Sequence, residues 1–242
     1  MIKSNSYSNR LITKPWGYEY IIFKNQKKLA LIFLKIFKKK QTSLHCHPNK
    51  KTGFIILSGT AKVQIGIYKK NSRIYKSQSI LVFRPGLFHS LKCISNKPLI
   101  ALEIETPFNT KDLIRFSDNY GRQLKPYENL SLTKKINSKF IKFKKPQKNS
   151  GYSYKLDNML IEIRNDKNYK NLFKKNEKSI SAILDGSIIS NDNKKVITHG
   201  EIVKTKTLEK LSKKFKIKKD LTVLKVTKIK DTNKKYKELH YV

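Results

Sequence analysis

The sequence predicts an all-β protein, folded as a barrel or sandwich. Short apolar or alternating segments are separated by turn residues about every 8–12 positions, the spacing of such folds. No long segment of the first half carries helical periodicity, and an apolar run ending in a corner glycine occurs twice, at residues 54–59 and 180–186.

In chain order, residues 1–12 are polar and read as a loose arm. Lys14-Pro15-Trp16-Gly17-Tyr18-Glu19-Tyr20 then turns into a strand that runs to Ile22, with Trp16 as a core anchor. Residues 29–37 are mostly apolar, uncapped and rich in Ile and Phe, which favours a buried strand. A short strand follows at 41–47, a turn at 48–51 and a returning strand at 52–57. Ser58-Gly59 makes a corner, and Ala61-Lys62-Val63-Gln64-Ile65 alternates as a half-buried strand does. Further strands are expected at 79–83, 88–94 and 99–105, with Arg84-Pro85-Gly86 turning between the first two. Asn109 or Thr110 is placed to cap a short turn of helix. Residues 127–150 are lysine-rich and weakly patterned, as suits a linker or an outer strand. The second half repeats the first in outline, with strands at 158–164, 180–189, 199–203 and 221–229, but it has no His-x-His pair.

A chain of 242 residues allows one large domain or two small ones. Two cysteines are too few for a disulfide framework, and no apolar run has the length of a signal peptide or a membrane span, so a reducing cytoplasm and no membrane partner are expected. The formal charge of +37 raises the question of nucleic acid. Only six of the 54 basic residues are Arg, the lysines are spread along the chain, and no nucleic-acid motif accompanies them. A solvated lysine surface is the preferred reading, and no specific nucleic-acid partner is expected. Its field could still attract anionic sugar phosphates.

Three of the five histidines, His45, His47 and His89, fall within 45 residues of one another beside strand or turn signals. Residues two apart on a strand share a face, so His45 and His47 project together while Cys46 points away. Imidazoles presented in this way commonly hold a divalent transition metal; the alternative is histidines that are hydrogen-bonded core residues.

The order His-x-His, then Gly59, then Gly86-x-x-His89 resembles the two motifs of the cupin superfamily. Lys14-Pro15-Trp16-Gly17, Leu57-Ser58-Gly59-Thr60-Ala61 and the stretch from Glu103 to Arg122 narrow the resemblance. It lies with the cupin domain of type II mannose-6-phosphate isomerases, often fused to mannose-1-phosphate guanylyltransferases, and covers about residues 12–122. It implies a jelly-roll bicupin: a cupin domain at 1–126 carrying the His site, a linker or outer strand at 127–150, and a degenerate cupin-like domain at 151–242. It also implies a divalent metal (Zn, Fe or Mn) on His45, His47 and His89, and isomerisation of a phosphorylated sugar or nucleotide sugar in surface polysaccharide biosynthesis. The motif's usual Glu falls on Thr52, which removes the anionic ligand.

Glu103 and Glu105 share a strand face and are the candidates for a catalytic base, a solvated outer face being the competing reading. Lys14, Arg84 and Arg122 are the candidates for phosphate contacts, against ordinary surface charge. The altered ligand position and the site-less second half keep a non-catalytic carbohydrate-binding or regulatory bicupin as the alternative function. Pairing of edge strands would make a homodimer.

Overall fold

The computed structural model describes residues 7–229 except 124 and 129. The chain divides into two compact units, residues 1–138 and 139–242.

Among the described residues, the first unit contains twelve strands: β1 (Arg10–Lys14), β2 (Gly17–Asn25), β3 (Leu29–Ile36), β4 (Leu44–Cys46), β5 (Lys51–Ser58), β6 (Thr60–Ile65), β7 (Ser72–Lys76), β8 (Ile80–Phe83), β9 (His89–Cys93), β10 (Leu99–Thr106), β11 (Ile114–Ser117) and β12 (Thr133–Lys135). They form two antiparallel sheets, ordered β12-β1-β2-β3-β10-β5-β8 and β11-β4-β9-β6-β7. One core joins them: Ile21, Leu34, Phe54 and Ala101 from the larger sheet pack with Ala61, Val63, Leu91 and Cys93 from the smaller. The fold is all-β, and β3 is the buried strand that its Ile- and Phe-rich run predicts, with seven of its eight residues buried.

Gly59 turns the chain from one sheet to the other. Its φ of +82° belongs to the left-handed region, and a Cβ there would lie 2.9 Å from the Pro98 carbonyl oxygen. Only glycine fits without a shift.

One local feature here differs from the sequence expectation, and one open alternative is resolved. No helix forms at 109–112. Instead, the Asn109 side chain accepts a hydrogen bond from the Lys111 amide at 3.0 Å, a local turn that the Asp112 carboxylate then ties to the amides of Asn49 and Lys50 at 2.9–3.1 Å. Within the 127–150 stretch, β12 pairs with β1 through Arg10↔Lys135, so its first part is an outer strand of the first unit.

The second unit contains β13 (Ser150–Leu156), β14 (Met159–Asp166), α1 (Tyr169–Leu172), β15 (Ile180–Asp185), β16 (Ser187–Ile189), β17 (Lys195–Thr198), β18 (Ile202–Lys204), α2 (Thr205–Leu211), β19 (Lys216–Ile217) and β20 (Leu221–Lys228). Its sheets are ordered β13-β14-β20-β15-β18 and β17-β16-β19. The two helices lie in lysine- and asparagine-rich sequence. Asn168 caps α1, its side chain accepting from the Lys170 amide. Leu172 of α1, Phe173 just after it and Leu208 of α2 are buried in one cluster with Ile183, Ile188 and Val223. No helix among the described residues is long and apolar enough to cross a membrane.

Candidate metal centre

His45 sits on β4 directly opposite His89 on β9, and His47 follows β4 by one residue. The β4–β9 ladder and the two-residue alternation therefore aim three rings at one point. His45 and His89 ring centroids are 4.7 Å apart, and His47 lies 5.0 and 5.6 Å from the other two. One ligand nitrogen from each lies within 4.8 Å of the others.

Each ring is oriented by a backbone carbonyl. Nδ1 of His45 lies 2.8 Å from the Ser43 oxygen, Nδ1 of His47 lies 2.6 Å from that of Asp112, and Nδ1 of His89 lies 3.0 Å from that of Leu87. A carbonyl can only accept, so each Nδ1 carries the proton and each Nε2 presents a lone pair. Nε2 of His47 and of His89 is buried without a hydrogen-bond partner. Two orphaned imidazole nitrogens in a ring-oriented trio fit a divalent transition metal better than a hydrogen-bonded core. Burial, with the neighbouring rings and Lys50, holds the His45 pKa well below its ordinary value. His47 is lowered to about 2, chiefly by burial and then by Lys50, and His89 to about 4, chiefly by burial. All three are neutral at pH 7, the state a metal requires. The His89 ring also stacks on Phe83 at 4.2 Å, which fixes its plane.

A second cluster adjoins the first. Glu103 and Glu105 alternate on β10 and both side chains are buried, so the solvated-face reading of this pair fails. A ligand atom of each lies within 4.8 Å of one another and of His47. Glu105 is ion-paired with Lys50, whose Nζ also donates to the Asn109 carbonyl at 3.1 Å. Glu103 makes no hydrogen bond or ion pair among the described residues. Burial raises its pKa well above the usual carboxylate range, and the nearby Glu105 and Glu19 add to the shift. Burial also raises that of Glu105, opposed by Lys50. Thr52 stands directly across the ladder from Glu105, only 1% exposed, with its hydroxyl unpartnered.

Around the carboxyls runs a charge-balanced lining. Lys14 pairs with Glu19 at 3.0 Å and with Glu128; Arg115 reaches Glu128 at 3.3 Å; Arg122 binds Asp118 at 2.7 Å and Glu128 at 2.6 Å. Tyr127 donates to Glu19. Lys14 and Arg122 thus line the cavity, already paired.

Arg84 does not reach it. This exposed side chain bonds back to the Pro85 carbonyl at 3.3 Å, because the Arg84-Pro85-Gly86 turn docks through its backbone, Gly86 N–H donating to the His47 carbonyl at 2.8 Å. The turn holds the two histidine segments together and leaves the guanidinium outside.

Lys50, Tyr127 and Glu128 belong to the site and carry no motif, while Asp112 and Arg115 lie in the Glu103–Arg122 stretch but had no role assigned from sequence. A usable signal was the scarcity of acids, 17 in 242 residues, against 54 basic ones. In so basic a chain, an acid near the motifs is a candidate counter-charge for a buried cation.

The enclosed cavity has a volume of about 60 Å³, lined by Trp16, Phe54 and Leu91 as well as by the charged groups. Ligand clefts more often measure about 300–1,000 Å³.

Two antiparallel sheets closed on one core, with histidines from the adjacent strands β4 and β9 gathered at a small interior cavity, define a double-stranded β-helix. The first unit therefore has a cupin-like fold. Residues 3–118 match the family model described as mannose-6-phosphate isomerase C-terminal. No curated protein matches the sequence.

Among solved structures, the chain is similar to an uncharacterized conserved protein with a double-stranded β-helix domain from Klebsiella pneumoniae subsp. pneumoniae MGH 78578. The two are 17% identical over 40% of this chain and 76% of that one, with a TM-score of 0.36. KdgF from Halomonas sp. is 13% identical over 40% and 85%, TM-score 0.36. A candidate sugar phosphate isomerase from Acidithiobacillus ferrooxidans ATCC 23270 is 17% identical over 34% and 51%, TM-score 0.31.

Proposed function

We propose that the first unit is a metal-dependent cupin acting on a phosphorylated sugar or nucleotide sugar, mannose-6-phosphate isomerase-like, in the synthesis of surface polysaccharide. The observation that carries this reading is the convergence of three carbonyl-oriented imidazoles, two of which, His45 and His47, line a cavity that also holds a carboxylate–lysine pair. The family match supports the sugar class.

His45, His47 and His89 would hold a divalent transition metal. That metal would polarise the sugar carbonyl and stabilise the enediolate charge. The chain's own groups do the rest. Glu105 is the base that takes the proton from carbon 2 and returns it to carbon 1. Its raised pKa brings it toward the working pH, where a general base is most effective, and Lys50 fixes its carboxylate. Trp16, Phe54 and Leu91 exclude water from the reacting end. Lys14 and Arg122, both held by Glu128, are the cations offered to the phosphate.

The test is interconversion of mannose 6-phosphate and fructose 6-phosphate by the full chain with added Zn²⁺, Fe²⁺ or Mn²⁺. Turnover that stops in Glu105→Gln supports the reading. No turnover on any phosphorylated hexose, with sugar binding retained, favours the second one, a non-catalytic carbohydrate-binding or regulatory bicupin. That alternative has its own observation: every cation lining the cavity is already ion-paired, as suits sugar hydroxyls better than a phosphate.

A further inference from the structure

Three imidazoles are neutral ligands, so a dication held by them alone keeps its full charge inside a buried cavity beside Lys50. A buried charge of that kind is costly unless an anion compensates it. The position where a carboxylate is expected, Thr52 on β5, supplies only an unpartnered hydroxyl.

The neighbouring strand offers what β5 lacks. Across an antiparallel ladder, directly opposed side chains leave the same face of the sheet about 4.5–5.5 Å apart. Glu105 stands opposite Thr52, and Glu103 stands opposite Phe54. Of the two, Glu105 is committed to Lys50, which also neutralises it. Glu103 is only 7% exposed, lines the cavity and has no hydrogen-bond or ion-pair partner among the described residues. One of its oxygens lies within 4.8 Å of a ring nitrogen of His47, whose Nε2 is buried and unpartnered. His47 is common to the imidazole trio and to the His47–Glu103–Glu105 group, so the two candidate clusters adjoin at that ring.

We infer that Glu103 is the anionic ligand of the metal held by His45, His47 and His89, its carboxylate supplied from β10 in place of the one that Thr52 lacks on β5. This rests on the metal-dependent reading above. It separates the paired carboxyls into two roles: Glu103 coordinates, and Glu105 with Lys50 handles the proton.

The test measures Co²⁺ and Zn²⁺ affinity of the full chain by competition with a chelating dye, together with the visible spectrum of the Co²⁺ form. Glu103→Gln keeps the shape and removes the charge; its affinity is expected to fall at least about tenfold, with a changed Co²⁺ spectrum. Glu103→Asp, which keeps the charge but shortens the reach, is expected to fall nearly as far, as a ligand requires and a remote charge does not. Glu105→Gln is expected to stay within a few-fold of wild type. Adding Thr52→Glu to Glu103→Gln restores a carboxylate across the ladder and is expected to recover affinity. Circular dichroism of the metal-free forms checks that each variant is folded. Wild-type affinity and spectrum in Glu103→Gln overturn the assignment while leaving the metal reading intact. Failure of the wild-type chain to take up either metal overturns both.

Discussion

The two units share a ladder and differ in what the ladder encloses. The order β13-β14-β20-β15-β18 repeats β2-β3-β10-β5-β8, and β17-β16-β19 repeats β7-β6-β9. Gly186, with φ +86°, turns the second corner as Gly59 turns the first. The differences fall on the histidine-bearing segments. Between β3 and β5 the first unit has β4 with His45, whereas between β14 and β15 the second has α1. Between β8 and β9 the first has the Gly86 turn leading to His89, whereas between β18 and β19 the second has α2. Leu172 and Leu208 from those helices fill the interior. Five residues before each corner glycine, Phe54 faces Glu103 in the first ladder, and Ser181 faces Lys225 in the second, where Glu162 and Glu177 each hold the lysine at 2.9 Å. The same sheet therefore supports a polar cavity or an apolar plug, according to two short connections.

The sharpest way to break the contrast is at the metal. The full chain should take up one equivalent, and His89→Ala should reduce affinity by more than about 100-fold, a ligand being worth more than the groups that orient it. Metal content by atomic absorption checks this; retention of the equivalent in His89→Ala would place the metal elsewhere.

Next in size is Glu128→Gln, which leaves Lys14, Arg115 and Arg122 short of a counter-charge. Removing one partner of a buried pair costs about 3–5 kcal/mol, to be read from urea unfolding at pH 7. Burial alone would raise the Glu128 pKa, but Lys14 and Arg115 outweigh it and hold it below its ordinary value. The stabilisation is thus present above the unfolded pKa of about 4.3 and is lost as pH falls through the folded one. The wild-type advantage should shrink with acidification; a constant difference from pH 7 to pH 3 would refute the ion-pair origin.

In the second unit, Leu208→Ala should cost about 2–5 kcal/mol by opening a cavity where the first unit has a site. A cost near that of a surface substitution would mean that α2 is not the plug. Smallest is Thr52→Val, which removes an unpartnered buried hydroxyl at nearly constant shape and should stabilise by about 1 kcal/mol. A loss of stability would show that the hydroxyl has a partner in solution, such as a bound water.

The readable part of the first unit was what short-range rules fix: strands bounded by Gly and Pro, a corner that only glycine can turn, and the common face of His45 and His47. His89 was legible through its spacing from Gly86. Three groups were not. Lys14 finds Glu128 across 114 positions, a distance no local pattern spans. Lys50 resembles the surface lysines in a chain with 48 of them, and only the fold buries it against Glu105. Arg84 adjoins the motif in sequence, yet the backbone docking of its turn points it outward. The helices α1 and α2 escaped because each is at most two turns long, too short for a periodic signal.

The closed charge balance of the cavity has a kinetic consequence. The interior cations are matched by carboxylates, so the +37 excess is carried outside them. An anion approaching the protein feels that field over a Debye length of about 8 Å at physiological salt, and loses it once seated among paired groups. Arrival and residence are thereby governed separately. Raising ionic strength should slow the association of an anionic ligand while leaving its dissociation rate nearly unchanged.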